Sequence, residues 1–181
     1  MFTEIPPTIF RFFNDSQIPL TLSDPNLPDD PLVLANAAFY KMTGYAAAEV
    51  IGHNCRFMQG VDTQKSIRQV IRDDFGLQRD TRVLIRNYRR NREAFDNFLY
   101  IFTVLDLYGK PLYRFGSQFE VPMIDKTTSF ENHAAELRAG IAKLNLQAVA
   151  ARQQTINLAD IAGMTAKDLL MARLEVMKMK L

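Results

Sequence analysis

The chain is poor in residues that hold metals or cross-links. Among 181 residues there are one cysteine and two histidines. An internal disulfide is excluded, no zinc or haem site is expected, and any cofactor is expected to be organic. No run of eighteen apolar residues occurs, and the opening "MFTEIPPTIFRFFNDS" carries acids and prolines where a signal peptide would carry a basic head and an unbroken apolar stretch. The expected location is cytoplasmic, with no membrane partner. An excess of charge of one sign is also missing. The formal net charge is +2, residues 1–126 carry 15 basic and 15 acidic side chains, and residues 127–181 carry 7 and 5. That balance lacks the clustered basic face by which nucleic-acid binders are read.

What is present is a globular composition, 48% apolar and 23% charged, at a length that suits one domain plus an extension. "QIPLTLS" reads as a short strand, and "DPNLPDDP" after it is dense turn chemistry. "LVLANAAFYKMTGY" begins as a strand and turns helical near Asn36, closing at Gly44. "VDTQKSIRQVIRDDFG" reads as a helix capped by Asp62 or Thr63, with Ile67, Val70 and Ile71 on its apolar side and Arg68 and Arg72 on one cationic face. "TRVLIRNY", "AFDNFLYIFTVLD" and "LYRFGSQFEV" have strand composition and predict an antiparallel meander. This pattern gives one mixed sheet with short helices on one face.

A polar constellation interrupts the meander. With the turn of "RRNRE" centred near Asn91 and Arg92, Asn87 and Asn97 become near cross-strand neighbours, and Gln118 falls opposite Leu99. A single strand asparagine ordinarily finds water or another amide. Three carboxamides among Val83, Ile85, Leu99 and Ile101 instead suit a planar ligand with alternating donors and acceptors, and Gly116 would let it approach the backbone. Arg56 and Arg72 together would suit a phosphate, although each alone reads more readily as a solvated charge. Cys55, in "GHNCRFMQG", could be an apolar filler or a nucleophile. A thiol hydrolase would need a base, and His53 is badly spaced to serve.

"NCRFMQG", Arg72, "NY" at Asn87, "FDN" ending in Asn97 and "GSQ" ending in Gln118 resemble the LOV (light, oxygen, voltage) class of PAS domains, over about Gln17 to Val121. The resemblance implies an α+β fold, a PAS-type five-stranded antiparallel sheet with short helices on one face, plus a C-terminal helical extension. It divides the chain into an N-terminal cap at 1–16, a flavin-binding photosensor at 17–122 and helices at 123–181, similar to bacterial short LOV proteins. It implies a blue-light sensor and not an enzyme, with FMN as cofactor, since the loop after "CRFMQG" has no insertion to suit a dinucleotide. Cys55 would attack flavin carbon 4a reversibly after excitation. Asn54 and Gln59 would contact the ribityl chain or ring edge, Arg56 and Arg72 the phosphate, Asn87 and Asn97 the pyrimidine edge, and Gln118 nitrogen 5 and oxygen 4. Met58, Asp96 and Leu99 depart from the family pattern, and Met58 is expected to tune the adduct lifetime.

Phe130, Ala134, Leu137, Ile141, Leu144, Ala148 and Ala151 form a heptad seam. A second helix is expected to open with a capping box at Thr165 and Asp168 and to place Leu170, Leu174, Met177 and Leu181 on one stripe, with Gly163 marking the break before it. The expected output is a homodimer through these helices, with help from the apolar "IFRFF", changing with light. The alternatives are a helix-turn-helix around Gly163 that binds DNA, against which the sparse charge argues, and a PAS module holding another ligand.

Overall fold

The computed structural model describes residues 5–106 and 108–121 and, in the C-terminal part, residues 156, 159–165, 167, 168 and 171. Five strands form one sheet: β1 (Leu20–Ser23), β2 (Leu32–Ala35), β3 (Thr81–Tyr88), β4 (Ala94–Leu105) and β5 (Pro111–Val121), in the order β2-β1-β5-β4-β3. Every pairing is antiparallel, which corrects the mixed sheet read from the sequence pattern and agrees with the PAS-type sheet that the resemblance implies. Between β2 and β3 run α2 (Ala37–Thr43), α3 (Ala47–Val50), a 3-10 turn at Cys55–Met58 and α4 (Lys65–Gly76), while α1 (Pro7–Asp15) precedes the sheet.

Strand alternation gives the sheet two faces of different character. On the outer face, Leu20, Leu22, Phe98, Tyr100, Phe102 and Phe115 are buried in one apolar cluster. Phe102 stacks on Phe115 at 5.2 Å, and Phe13 of α1 tilts onto Phe115 at 5.5 Å. Helix α1 therefore covers this face with Ile9 and Phe13, leaving Phe10 43% exposed. Of the apolar "IFRFF", Ile9 and Phe13 are buried within their own chain and Phe12 packs partly against the same cluster.

Asn36 holds the start of the fold together. Its Oδ1 accepts from Phe39 N, capping α2, and from Leu20 N, each at 3.0 Å. Its Nδ2 donates to Ile18 O at 2.8 Å and more loosely to Phe13 O and Ser16 O. One amide thus ties α1, β1 and α2, and Gly44 closes α2 at φ +74.

Five local expectations are corrected. Helix α4 has no side-chain cap: Thr63 accepts from Gly60 N and donates to Arg86 O, and Asp62 accepts from the Tyr88 hydroxyl. Val70 is exposed, and Ile71 faces the interior. In the C-terminal part, residues 159–165 are helical straight through Gly163. A Cβ there would meet Tyr100 Cδ1 at 2.7 Å and Ser117 Oγ at 3.1 Å, so the glycine serves a close helix-to-sheet approach and is no break. Thr165 lies inside this helical run, its hydroxyl donating back to Ile161 O, so it is no N-cap. The turn of the proposed helix-turn-helix is therefore not formed. Arg82 pairs with Asp160 at 2.8 Å, and Lys167 with Asp80, fastening this segment to the outer face. The heptad seam at 130–151 and Leu170, Leu174, Met177 and Leu181 lie outside the described residues. No helix among the described residues is long and apolar enough to cross a membrane.

Phe13→Ala should lower the unfolding free energy by about 3–5 kcal/mol in a urea titration, as expected for a buried phenyl, while Phe10→Ala should stay within about 0.5 kcal/mol.

Candidate functional site

The inner face of the sheet carries the amides. The observed register pairs Ile85 with Asn97 and Asn87 with Phe95, so Asn87 and Asn97 are diagonal neighbours, one alternate position from the expected pairing. The hairpin closes tighter than its sequence suggests. Arg89 N donates to Glu93 O and Arg92 N to Arg89 O, with Arg92 at φ +69 in the role a glycine usually fills. The diagonal still brings the side chains together: Asn97 Nδ2 donates to Asn87 Oδ1 at 3.0 Å, and Asn87 Nδ2 points to Met58 O at 3.4 Å. Gln118 stands opposite Leu99, as the strand count predicts.

Asn97 and Gln118 are both 0% exposed. Gln118 Nε2 donates to Thr21 Oγ1 at 2.9 Å, and its backbone N donates to Pro19 O. Two carbonyl oxygens, Asn97 Oδ1 and Gln118 Oε1, are buried without a partner among the described residues. Leaving such an atom unpaired costs about 1–3 kcal/mol, so each marks a place where a donor is missing. Gly116 keeps the space beside them open. A Cβ there would come within 2.7 Å of Thr21 Oγ1 and 3.1 Å of Gln118 Nε2, breaking into their hydrogen bond.

A cavity of about 110 Å³ faces these strands, and Cys55, Met58, Asn87, Asn97, Leu99 and Gly116 are among its walls. It shares Asn54, Arg56, Gln59, Ile71 and Phe75 with an adjoining groove of about 470 Å³ that Arg68 and Arg72 also line. The structure thus gathers Asn54, Cys55, Arg56, Gln59, Asn87 and Asn97 around one slot and sets Arg72 at its outer end. Gln118 lies in the same inner face, turned to Thr21. A larger open groove of about 840 Å³ between α2 and the β3–β4 hairpin has, among the described residues, no buried unpaired polar atom on its walls. The cavity with the orphaned amides is the stronger candidate.

Cys55 begins the 3-10 turn, whose N-cap is Asn54: Asn54 Oδ1 accepts from Arg56 N at 3.1 Å. Asn54 Nδ2 donates to Asp29 O at 2.6 Å and Asp30 O at 3.2 Å, so its amide is occupied in holding the β1–β2 loop. Arg56 pairs with Asp29 on that loop, and Arg72 Nη2 donates to Gln69 Oε1 at 2.5 Å. Burial, with a smaller contribution from the charge of Asp30, pushes the Cys55 thiol up to about 12. It therefore keeps its proton throughout the neutral range. Among the described residues no group of three His, Cys, Asp or Glu could hold a metal.

Sequence reasoning flagged Arg68 only as part of a cationic face; its spacing of four from Arg72 was the available signal. Asp30, Phe75 and Arg114, which also line the cavity, were not flagged. They come from three separate elements and have no local pattern.

Three units of pKa correspond to about a thousandfold less thiolate at mildly alkaline pH. Iodoacetamide should alkylate Cys55 of the folded protein about a thousandfold more slowly than in urea at pH 8.5, followed by mass spectrometry. Because the folded state holds its proton longer, stability should fall as pH rises from about 9 toward 12.

A family model described as "PAS domain" matches residues 19–119. A blue-light-activated histidine kinase of Rhizobium johnstonii is 42% identical over 109 residues, 60% of this chain and 32% of that protein. Blue-light-activated histidine kinase 1 of Erythrobacter litoralis is 35% identical over 127 residues, 68% of this chain and 35% of that protein. The chain spans about a third of the length of these relatives. Among solved structures, the Rhodobacter sphaeroides LOV protein superposes with a TM-score of 0.61 at 35% identity, covering 91% of this chain and 93% of that one. With a matching fold, a family model over more than half its length and a LOV protein aligned almost end to end, the chain belongs to the LOV class of the PAS domain family.

Proposed function

We propose that this chain is a blue-light photoreceptor that binds FMN, with Cys55 as the thiol of a reversible light-driven bond to flavin carbon 4a. The observation that carries the reading is Asn97 Oδ1, wholly buried and unpaired among the described residues on the wall of a cavity that also holds a protonated thiol, with a second such oxygen, Gln118 Oε1, on the same sheet face. Relatives named for blue-light activation support the light input.

When bound, the flavin supplies light absorption and an electrophilic carbon that its ground state lacks. The chain's own residues do the rest. Asn87 and Asn97 offer donors and acceptors to a planar edge, and Leu99, Ile101 and Met58 exclude water from the thiol. Arg56 and Arg72 take the phosphate end in the outer groove, Arg56 exchanging its exposed pairing with Asp29 for a doubly charged partner, and Gln59 takes the ribityl chain or ring edge. Asn54 positions Cys55 by capping its turn. Gln118 can present either Nε2 or Oε1 to the ligand, and turning the amide exchanges its bond to Thr21.

Its neighbour Ser117 points to the opposite face, where Gly163 makes close contact. A change in β5 at Gln118 therefore reaches the C-terminal helical residues, and we place the output there. A homodimer through the C-terminal extension is the proposed assembly. A light-state dimer is recorded for the fungal photoreceptor Vivid, 32% identical to this chain.

Purified protein should be yellow, bleach under blue light and recover in the dark, followed by its absorbance. Cys55→Ser should stay yellow and lose the bleaching. Colourless protein that takes up no added FMN, or a Cys55→Ser variant that bleaches like wild type, would sink the reading. Size-exclusion chromatography in dark and light tests the dimer, and an unchanged monomer in both removes it.

A further inference from the structure

The end of the cavity beyond the amides contains an ion pair to which the reading above gives no task. Arg114 lies on the inner face of β5, cross-strand from Ser23 and Thr103 and four residues before Gln118, about 13 Å along the strand. Its guanidinium stacks over the Phe75 ring of α4 at 4.1 Å, and its Nη1 pairs with Asp30 Oδ2. Asp30 approaches from the β1–β2 loop, where Asp29 and Asp30 both take positive φ, +71 and +50. Asn54 holds both their carbonyls, so the residue that caps the Cys55 turn also fixes the loop carrying Asp30. Strand, helix and loop thus converge to place one charge pair in the cavity wall.

Each partner keeps one buried polar atom unpaired among the described residues: Asp30 Oδ1 and Arg114 Nε. The first can only accept from a ligand and the second can only donate. A phosphate or carboxylate would be repelled by Asp30, and an ammonium by Arg114. A neutral group that both donates and accepts meets both demands, and a hydroxyl does so through a single oxygen.

We propose that Asp30 and Arg114 form a polyol-recognition pair that takes the hydroxylated chain of the cavity's ligand. The inference rests on the flavin reading, because the ribityl chain is the neutral, hydroxyl-bearing part of that cofactor. Asp30 also lies near enough to Cys55 for its charge to push the thiol up.

The test compares riboflavin with lumiflavin, which has the same ring and a methyl in place of the polyol chain. Apo protein is titrated with each and the dissociation constant is read from flavin fluorescence. Wild type should prefer riboflavin. Asp30→Ala and Arg114→Met should each weaken riboflavin by about tenfold, as for a lost bond to a charged group, and lumiflavin by less than twofold. Asp30→Asn, nearly isosteric and still an acceptor, should fall between and guards against a folding defect. Equal weakening of both flavins would assign the pair to packing and overturn the proposal, as would an undiminished riboflavin preference in the variants. Wild type that binds neither of these flavins nor FMN would overturn the flavin reading itself, and this assignment with it.

Discussion

The Asn97 to Asn87 hydrogen bond at 3.0 Å is where the inner face is decided. It satisfies one donor of Asn97 and commits Asn87 as acceptor, and it leaves Asn97 Oδ1 facing the cavity with nothing to receive. An apolar filling could not repair that deficit, because the missing partner is a donor. The demand therefore passes outward to whatever enters. Gly116, the exclusion of side chains beside Thr21 and the placement of Cys55 across the same space all follow from keeping that entry open.

The outer face solves the opposite problem. Its large aromatics need cover, and α1 and the C-terminal helical residues provide it. Apolar burial of this kind has no direction, so the Arg82–Asp160 and Lys167–Asp80 pairs fix where the C-terminal residues rest without adding much to stability at their exposure. The sheet separates a polar, ligand-facing side from an apolar, helix-facing side. Ser117 and Gln118, adjacent in β5, point to the two opposite faces.

Much of this was legible because it is periodic. Strand β3 runs over the same residues that "TRVLIRNY" predicts, and the Leu99 to Gln118 pairing follows from counting across "LYGKP". The Asn87 register was missed because Arg92 adopts the left-handed turn conformation without the glycine that would announce it. Thr63 was assigned to the helix it precedes because capping is a local rule, whereas its hydroxyl is held by Arg86 O of a distant strand. The pair of Asp30 and Arg114 lies 84 residues apart in the chain. Neither spacing nor propensity joins them; only the fold does. The amide constellation was readable because three like residues interrupt one alternating pattern, while a single acid and a single arginine interrupt nothing.

Gly163 gives the outer contact a mechanical property. With 2.7 Å between a hypothetical Cβ and the Tyr100 ring, the Gly163 backbone rests directly on the Tyr100 side chain, and the helix contributes no side chain of its own to the contact. Flexible side chains at an interface act as compliant spacers that absorb shifts of a few tenths of an ångström by changing rotamer. Here that cushion is absent on the helix side. A shift of Tyr100 or Ser117 therefore meets the helix backbone itself, with no second side chain there to take it up.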